Sequence, residues 1–308
     1  MTGCLRTFAC TRLNPVIYSR KPSKMADPVS IAIIGSSTAA GQGADPPEKS
    51  WVNRYRAYLK SLHPENKVHN LALGGLQTFQ LQPNGHKPSP ARPLPDPERN
   101  ITKALSLRPD AVIVNAPSND AAAFYGTEEQ LANFDRIIQV ARQAGVLTWI
   151  CTTQPRVFSP KQIDIQVQLK DAILNRYGAQ TLNFWDALAL PDHLPDPRFT
   201  LGDGAHLNNA GHARLFEIAK SRNLPAAIAA WKKQQRQATL KFGHRLEIPR
   251  LVGGLVHIEV YDAWAQLRWR GSGKLPMTVP GNLWKAGTYW VRVSGTGFHR
   301  FLSWVKSG

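Results

Sequence analysis

Ile31-Ala-Ile-Ile-Gly-Ser-Ser-Thr-Ala-Ala-Gly-Gln-Gly43 joins a short apolar run to a turn rich in glycine and serine. The pattern predicts a buried strand over residues 31–35 that ends in a small polar loop. Reacting groups of open α/β sheets collect at the carboxyl ends of strands, so this loop is a candidate functional site. Alone, Gly35-Ser-Ser-Thr38 is also compatible with an ordinary flexible turn. Other segments of the chain must distinguish a functional loop from such a turn.

The composition is that of a globular protein. Of its 308 residues, 43% are hydrophobic and 19% are charged, which is enough to bury a large core. No apolar run approaches the roughly 20 residues that cross a bilayer, so no transmembrane segment is expected. Three cysteines predict no disulfide framework. Cys151 ends an apolar run and is expected to be a small buried hydrophobe.

The formal net charge of +17 is concentrated at the two ends of the chain. Residues 232–308 contain thirteen lysines and arginines against three acids, and residues 1–28 contain five against one. Such ends would attract polyanions, but no nucleic-acid motif accompanies them. A solvated basic surface is the expected explanation, and no nucleic-acid partner is predicted.

Between residues 29 and 237, short apolar runs alternate with amphipathic segments. The apolar runs predict strands over residues 31–35, 68–73, 111–115, 146–151 and 181–185. The periodic segments predict helices over residues 51–62, 101–107, 127–144, 160–177, 210–221 and 225–237. This alternation predicts an α/β domain at 29–237, with three α/β/α layers around a mostly parallel five-stranded sheet.

A proline-rich segment at residues 81–99 interrupts this alternation. Its prolines exclude helix and central strand. A loop of this length in a compact domain is usually functional or mobile. The segment is therefore predicted either to form a wall of the candidate site or to be a stiffened surface insertion.

The pattern changes after residue 238. Period-two alternation and turns rich in glycine and proline predict a small antiparallel β-sandwich over residues 238–308. Five of the nine tryptophans lie there, namely Trp264, Trp269, Trp284, Trp290 and Trp304. A core role is favoured for them over a sugar-stacking platform, because a small domain needs large residues to build a core.

Residues suited to acyl transfer lie beyond the predicted strands. Ser37 follows the first strand, Gly75 the second and Asn119 the third, and Asp203 and His206 follow the last. His206 is the candidate base for the serine hydroxyl, and Asp203 can orient its imidazole through Nδ1. The backbone N–H groups of Ser37 and Gly75 and the amide of Asn119 are candidate donors to an oxyanion.

Each of these residues also has a purely structural explanation. Asp203-Gly204 is a common turn dipeptide, and His206 could be a packed histidine. Asn209 could cap the helix that follows. The functional interpretation therefore depends on all these residues meeting at one edge of the sheet.

Four blocks of sequence carry a family resemblance. They are Gly35-Ser-Ser-Thr-Ala39, Asn70-Leu-Ala-Leu-Gly-Gly75, Pro117-Ser-Asn-Asp120 and Asp203-Gly-Ala-His206. In order and spacing the chain resembles the SGNH (GDSL-type) hydrolases, which are esterases and lipases. The resemblance implies a flavodoxin-like fold and hydrolysis of carboxylic esters through an acyl-Ser37 intermediate. It implies no metal and no cofactor.

Three positions depart from the family pattern. Ser36 stands where the family has aspartate, and Ala72 and Pro117 stand where it has glycine. None of these changes removes a catalytic group. Ser36 leaves open which of two serines attacks the substrate, and Ser37 is favoured because its register fits the motif.

Many relatives deacetylate carbohydrates, so the resemblance implies a small ester or an acylated carbohydrate with a short acyl group as substrate. The segment Thr152-Thr-Gln-Pro-Arg156, after the fourth strand, points at the same edge of the sheet. Gln154 and Arg156 are therefore candidate substrate contacts. The alternative hypothesis is a carbohydrate-binding or cell-surface attachment protein whose hydrolase body is degenerate.

Three segments of the tail carry a second resemblance: Val256-His-Ile-Glu-Val-Tyr-Asp262, Gly287-Thr-Tyr-Trp-Val-Arg-Val293 and the terminal Val305-Lys306. They are similar to the C-terminal sorting domains of type IX secretion substrates, which are small β-sandwiches that end in a Lys-containing strand. The resemblance implies secretion or a cell-surface location, with the secretion machinery as a partner. Residues 1–28, predicted to be a disordered extension, lack the apolar region of a standard signal peptide. A truncated or misread N-terminus would reconcile the two observations.

Overall fold

The computed structural model describes residues 27–116, 118–238, 245–248, 255–262, 267–274, 277–280, 287–295 and 298–306. Nearly all of the extension predicted at residues 1–28 lies outside the described residues.

A five-stranded parallel sheet forms the centre of the fold. Its strands are β1 (Ser30–Gly35), β2 (Lys67–Asn70), β3 (Ala111–Asn115), β4 (Leu147–Cys151) and β5 (Thr181–Leu182). They are arranged in the order β2-β1-β3-β4-β5, and every neighbouring pair is parallel. The predicted α/β class with five strands is confirmed, and the strand order is the flavodoxin-like one.

Eight helices accompany the sheet in the described part of the chain. They are α1 (Ser37–Ala40), α2 (Trp51–Leu62), α3 (Ile101–Ser106), α4 (Asn119–Ala122), α5 (Thr127–Gln143), α6 (Pro160–Tyr177), α7 (Asn209–Ser221) and α8 (Leu224–Ala238). None of them is both long and apolar enough to cross a membrane. The six longer helices agree with the predicted ones to within two residues at each end.

The two faces of the sheet carry separate hydrophobic cores. Successive side chains of a strand point to opposite faces, so Ile31 and Ile33 of β1 pack on one face and Ala32 and Ile34 on the other. Helices α2, α7 and α8 cover the first face, and α3, α5 and α6 cover the second. Because both faces are covered, the strand ends are where polar groups can reach solvent. Cys151 is buried in the first core, as predicted.

The second strand is shorter than the predicted 68–73, although the N–H groups of Leu71 and Leu73 still donate to the carbonyl oxygens of Ile33 and Gly35 at 2.8 and 3.2 Å. Regular strand pairing ends at Asn70, whose side chain bonds to the backbone. Its Oδ1 accepts a hydrogen bond from the N–H of Ala72 at 3.1 Å, and its Nδ2 donates to the carbonyl oxygen of Ala39 at 2.7 Å. An asparagine that bonds to the backbone two residues later forms a turn. The chain therefore leaves the sheet before Gly75.

The fifth strand is also shorter than the predicted 181–185. The hydroxyl of Thr152, which follows β4, accepts hydrogen bonds from the N–H groups of Phe184 and Trp185 at 2.9 and 3.1 Å. These bonds replace strand pairing and bend the chain after Leu182. The aromatic side chains of Phe184 and Trp185 remain buried, which explains why the segment looks like a strand in the sequence.

The proline-rich segment is anchored to α5. The guanidinium of Arg92 donates to both carboxylate oxygens of Glu129 at 2.8 and 2.9 Å and lies 3.9 Å from the ring centroid of Tyr125. The hydroxyl of Tyr125 donates to the side chain of Gln77, which in turn reaches the carbonyl oxygen of Asn119. The segment thus contacts residues that support the candidate site from outside.

The C-terminal strands are antiparallel, as predicted. They are β6 (Arg245–Ile248), β7 (Leu255–Asp262), β8 (Leu267–Lys274), β9 (Met277–Pro280), β10 (Gly287–Gly295) and β11 (Phe298–Lys306). Four of them form a sheet in the order β11-β10-β7-β8, and β6 and β9 form a two-stranded ribbon.

The tryptophans of this region do not share one role. Trp269 lies opposite Val260, on the face that buries Val260 and Val291. Trp290 lies opposite Tyr261 on the other face, which is only half-buried. Trp264 and Trp284 fall outside the described residues. Both tryptophans are half-buried, and Trp269 is the one that lies on the face with the buried valines.

Candidate active site

The loop that follows β1 crosses directly over the end of β3. The N–H of Ser36 donates to the carbonyl oxygen of Asn115 at 3.0 Å. A Cβ atom on Gly35 would lie 2.1 Å from the same oxygen, so only glycine permits this approach. The crossing ends the strand abruptly and places the two serines at the carboxyl edge of the sheet.

The two serines have different environments. Ser36 is completely buried, and its Oγ accepts a hydrogen bond from Nδ2 of Asn119 at 2.6 Å. Ser37 is half-buried and begins the short helix α1, which the sequence pattern did not predict. Since a nucleophile must be reached by its substrate, this geometry favours Ser37 over Ser36.

The loop after β2 lies beside Ser37. A Cβ atom on Gly74 would be 3.8 Å from the Cβ of Ser37. Gly75 has a positive φ of 84°, and a Cβ atom there would meet nothing within 4 Å. Among the described residues, the backbone N–H groups of Ser37 and Gly75 have no hydrogen-bond acceptor. Both N–H groups are therefore available to a bound ligand.

Asn119 joins these two loops. It begins the short helix α4, and its Nδ2 donates to the carbonyl oxygen of Leu76 at 2.9 Å as well as to Oγ of Ser36. The structure thus brings together the three residues predicted as oxyanion donors: Ser37, Gly75 and Asn119.

Asp120, the residue after Asn119, stabilises the loop after β2 through buried hydrogen bonds. Its buried carboxylate accepts hydrogen bonds from the N–H of Thr78 at 3.0 Å and from the hydroxyl of Thr78 at 2.5 Å. Burial raises the pKa of Asp120 to about 6, although the bonds from Thr78 act in the opposite direction. Asp120 stands in the third block, where the sequence indicates no role for it. In the structure it ties the loop after β2 to α4.

Replacing Asp120 with asparagine should change how stability depends on pH. The carboxyl group has a pKa of about 6 in the folded chain against an ordinary 3.8, so its contribution to stability is full below pH 3.8 and lost as pH rises through 6. Relative to wild type, Asp120→Asn should gain about 2 kcal/mol in the free energy of unfolding between pH 4 and pH 8. Urea denaturation at each pH measures this difference.

The control is Asp164→Asn, at an exposed position in α6, which should show no comparable change. A difference between Asp120→Asn and wild type that stays constant across this pH range would contradict the prediction. It would mean that Asp120 is equally charged in the folded and the unfolded chain.

Asp203 and His206 form a bonded pair in the loop between β5 and α7. Nδ1 of His206 lies 2.6 Å from Oδ2 of Asp203. The other carboxylate oxygen accepts hydrogen bonds from the backbone N–H groups of Ala205 at 2.9 Å and His206 at 2.8 Å. These bonds, above all the one from the backbone of His206, lower the pKa of Asp203 to about 2.

The charge of Asp203 determines the imidazole tautomer. A carboxylate only accepts hydrogen bonds, so Nδ1 of His206 must carry a proton to bond with it. Nε2 of the neutral ring is then unprotonated and can act as a base. The pair has the arrangement expected for a general base and its orienting carboxylate.

The segment after β4 reaches both halves of the site. Gln154 is buried; its Oε1 accepts a hydrogen bond from the hydroxyl of Thr38 at 2.8 Å, and its Nε2 donates to the carbonyl oxygen of Ala205 at 3.2 Å. Arg156 is half-buried, with its guanidinium 4.9 Å from the ring centroid of Phe158. The predicted substrate contact of Arg156 stays a prediction, whereas Gln154 bonds to the protein at both ends of its amide.

Gln42 is a site residue that the sequence motifs do not indicate. Its exposed side chain places Oε1 3.5 Å from the position that a Cβ atom of Gly74 would occupy, next to Ser37. Its backbone carbonyl oxygen accepts a hydrogen bond from Nε2 of His212, which fixes the loop. A glutamine in a glycine-rich turn carries no recognisable signal, so only the fold could reveal this position.

Three exposed apolar side chains lie on the loops of the site. Leu73 precedes Gly74, Val157 donates its N–H to Gly204, and Leu201 donates its N–H to the carbonyl oxygen of His206. Their exposed fractions are 45%, 60% and 52%. The rim of the site is therefore partly apolar, while Gln42 supplies a polar group.

A comparison with protein families identifies residues 33–214 as a match to the model of the GDSL-like lipase/acylhydrolase family. The match spans more than half of the chain and contains all the candidate site residues. The chain belongs to this family. It is accordingly a carboxylic ester hydrolase. No curated protein matches the sequence.

This hydrolase is similar to several solved structures, one of which reaches a TM-score of 0.50. A variant of Axe2, an acetyl-xylooligosaccharide esterase from Geobacillus, is 15% identical, with a TM-score of 0.50 over 65% of this chain and 96% of that one. EstA from Pseudoalteromonas sp. is 13% identical, with a TM-score of 0.47 over 64% and 98%. TesA is 17% identical, with a TM-score of 0.48 over 64% and 98%. At these identities the likeness concerns the fold alone.

The family match ends at residue 214 and does not reach the C-terminal strands. The sorting role and the secreted location therefore stay predictions for this hydrolase.

Proposed function

We propose that this hydrolase cleaves esters with short acyl groups, such as acetyl groups on carbohydrate, through an acyl-Ser37 intermediate. His206 is the general base, and Asp203 orients it. The observation that carries the proposal is the 2.6 Å contact between the ring of His206 and the carboxylate of Asp203. It lies in a loop that is bonded through Gln154 to the residue beside Ser37.

In the first half of the reaction, Oγ of Ser37 attacks the ester carbonyl carbon while Nε2 of His206 takes the hydroxyl proton. The tetrahedral intermediate then breaks its bond to the alcohol oxygen, and the imidazolium returns the proton to that oxygen. In the second half, His206 takes a proton from water, and the hydroxide attacks the acyl-Ser37 ester. Collapse of the second intermediate breaks the bond between the acyl carbon and Oγ, the imidazolium of His206 returns its proton to Oγ, and the acid leaves.

The negative charge of Asp203 interacts with the imidazolium that forms on His206. Because the pKa of Asp203 is lowered to about 2, its carboxylate stays negative throughout the pH range in which esters are assayed. It stabilises the protonated ring that forms in each half of the reaction. The two backbone N–H groups on its second oxygen keep the carboxylate in place.

The developing oxyanion would be bound by the N–H groups of Ser37 and Gly75 and by the amide of Asn119. The open space beside Gly75 supports this assignment. One hydrogen of the Asn119 amide is held by Leu76 and the other points to Ser36. The second hydrogen is the one that an oxyanion could share with Oγ of Ser36, in a three-centre hydrogen bond.

The substrate preference rests on the surroundings of Ser37. The amide of Gln42 offers both a donor and an acceptor to the hydroxyl groups of a sugar alcohol. Acetylated xylooligosaccharide is the substrate class in the name of one structural neighbour, Axe2. These observations favour a hydroxylated alcohol portion and a small acyl group.

A panel of esters tests the proposal. The full chain is assayed with p-nitrophenyl acetate, butyrate and octanoate and with acetylated xylooligosaccharides, and kcat/KM is compared. We expect the highest kcat/KM for acetate, a decline with acyl length, and release of acetate from the oligosaccharides. A preference for octanoate would instead assign the apolar rim to the acyl chain. A protein that hydrolyses none of these esters would contradict the proposed esterase.

A further inference from the structure

We propose that Gln154 is a positioning residue that sets the distance between Ser37 and His206. The proposal rests on the proposed function, because it assigns to these two residues the roles of nucleophile and base. It replaces the prediction that Gln154 contacts the substrate.

The side chain of Gln154 connects the two halves of the site by one amide group. Its Oε1 accepts from the hydroxyl of Thr38, the residue after Ser37, and its Nε2 donates to the carbonyl oxygen of Ala205, the residue before His206. Ser37 and His206 are therefore each the direct chain neighbour of a residue that this side chain binds. A shift of this amide would move one reacting group relative to the other.

The amide itself is held rigidly. Gln154 is 2% exposed, and its backbone carbonyl oxygen accepts a hydrogen bond from Nε2 of Gln166 in α6 at 2.8 Å. The same nitrogen donates to the hydroxyl of Thr153 at 2.9 Å. The bridge thus starts from a fixed point on the second face of the sheet. Because the side chain is buried and bonded at both ends, it acts through its neighbours and does not touch the substrate.

The chemistry of the two partners requires an amide at this position. Thr38 presents a donor, and the carbonyl oxygen of Ala205 presents an acceptor. A glutamine side chain satisfies both at once, whereas glutamate would turn a carboxylate oxygen towards the carbonyl of Ala205. An apolar side chain would leave the buried hydroxyl of Thr38 and the half-buried carbonyl oxygen of Ala205 without this hydrogen bond.

The test uses the full chain with p-nitrophenyl acetate and the variants Gln154→Met and Gln154→Glu. We expect kcat to fall by about 10–100-fold with KM unchanged, because misplaced reacting groups lose rate and not binding. Active sites are counted by stoichiometric labelling with a reactive phosphonate, so that kcat refers to folded enzyme. A rise in KM with unchanged kcat would overturn the proposal in favour of substrate contact. Unchanged values of both kcat and KM would also overturn the proposal, because Gln154 would then have a structural role only.

Variants of Thr38 keep the proposal falsifiable if the Gln154 variants do not fold. Thr38→Val removes the hydroxyl while keeping the shape of the side chain, and it should lower kcat to a similar extent. Thr38→Ser keeps the hydroxyl and should restore most of the rate. The double variant Thr38→Val/Gln154→Met should be no slower than the slower single variant, since both changes break one bridge. Additive losses would overturn the proposal.

Gln180→Met is the matched control. Its side chain also donates to a backbone carbonyl, that of Thr148, but at the amino end of β4. It should lose stability without any change in kcat. If Ser37→Ala hydrolyses the ester as fast as wild type, the proposed function itself fails. If Ser37→Ala is inactive and Gln154→Met is as fast as wild type, only the positioning role fails.

Discussion

Replacing Ser37 with alanine should lower kcat for p-nitrophenyl acetate by about 10⁵-fold, while replacing Ser36 should cost no more than about tenfold. Ser37 is half-buried next to the open space at Gly75, and without its hydroxyl no acyl-enzyme can form. Ser36 is buried and only accepts a bond from Asn119. Initial rates and circular dichroism of both variants measure the two effects and confirm that the chains are folded.

Labelling with a reactive phosphonate supplies an independent check on the nucleophile. The wild type and Ser36→Ala should each gain one phosphonyl group, located by mass spectrometry on Ser37, and Ser37→Ala should gain none. Full activity in Ser37→Ala combined with loss in Ser36→Ala would transfer the nucleophile to Ser36. That outcome would require the buried hydroxyl to become accessible when substrate binds.

His206→Ala should lower kcat by about 10⁵-fold, and Asp203→Asn by about 10⁴-fold. Alanine removes the base altogether. Asparagine can still accept from the backbone N–H groups of Ala205 and His206 through its oxygen, but it then turns an N–H group towards Nδ1. The ring would adopt the other tautomer, in which Nε2 carries the proton and cannot accept one. Rates at several pH values, with the fold checked by circular dichroism, measure both losses.

His257→Ala is the control for the histidine variant. Nδ1 of His257 is also hydrogen-bonded, to the hydroxyl of Ser272, but it lies in the C-terminal sheet. Its replacement should leave kcat unchanged. Near-normal rates in both His206→Ala and Asp203→Asn would refute the assignment of the pair as base and orienting carboxylate.

Local signals explain why most of the secondary structure could be predicted from the sequence. Helix α6 begins at Pro160 after Ser159, and Gln162 completes a capping box with that serine. Such signals lie within a few neighbouring residues. The parallel sheet follows because alternating strands and helices leave few other arrangements.

The errors have long-range causes. The predicted fifth strand was too long because a hydroxyl from another segment, that of Thr152, captures the N–H groups after Leu182. The short helices that begin at Ser37 and Asn119 are four residues each and show no periodicity of their own. No pattern in the chain indicates which contacts such turns will make.

The candidate site was predictable in its residue types and not in its connections. The motif register already favoured Ser37 over Ser36, and burial of Ser36 supplied the physical reason. The bridge made by Gln154 joins residues more than a hundred positions apart, so sequence alone could only place it near the site. The amide of Gln42 was missed because a glutamine in a glycine-rich turn carries no signal of its own.

The bonds that hold Asp203 and His206 together all lie within four consecutive residues of one loop. The acid and the base therefore form a self-contained unit, which would keep its tautomer and its charge if the loop moved as a whole. Such a movement would change only the alignment of that unit with the serine. A displaced loop would therefore lower the kcat of this enzyme without changing the shape of its pH profile.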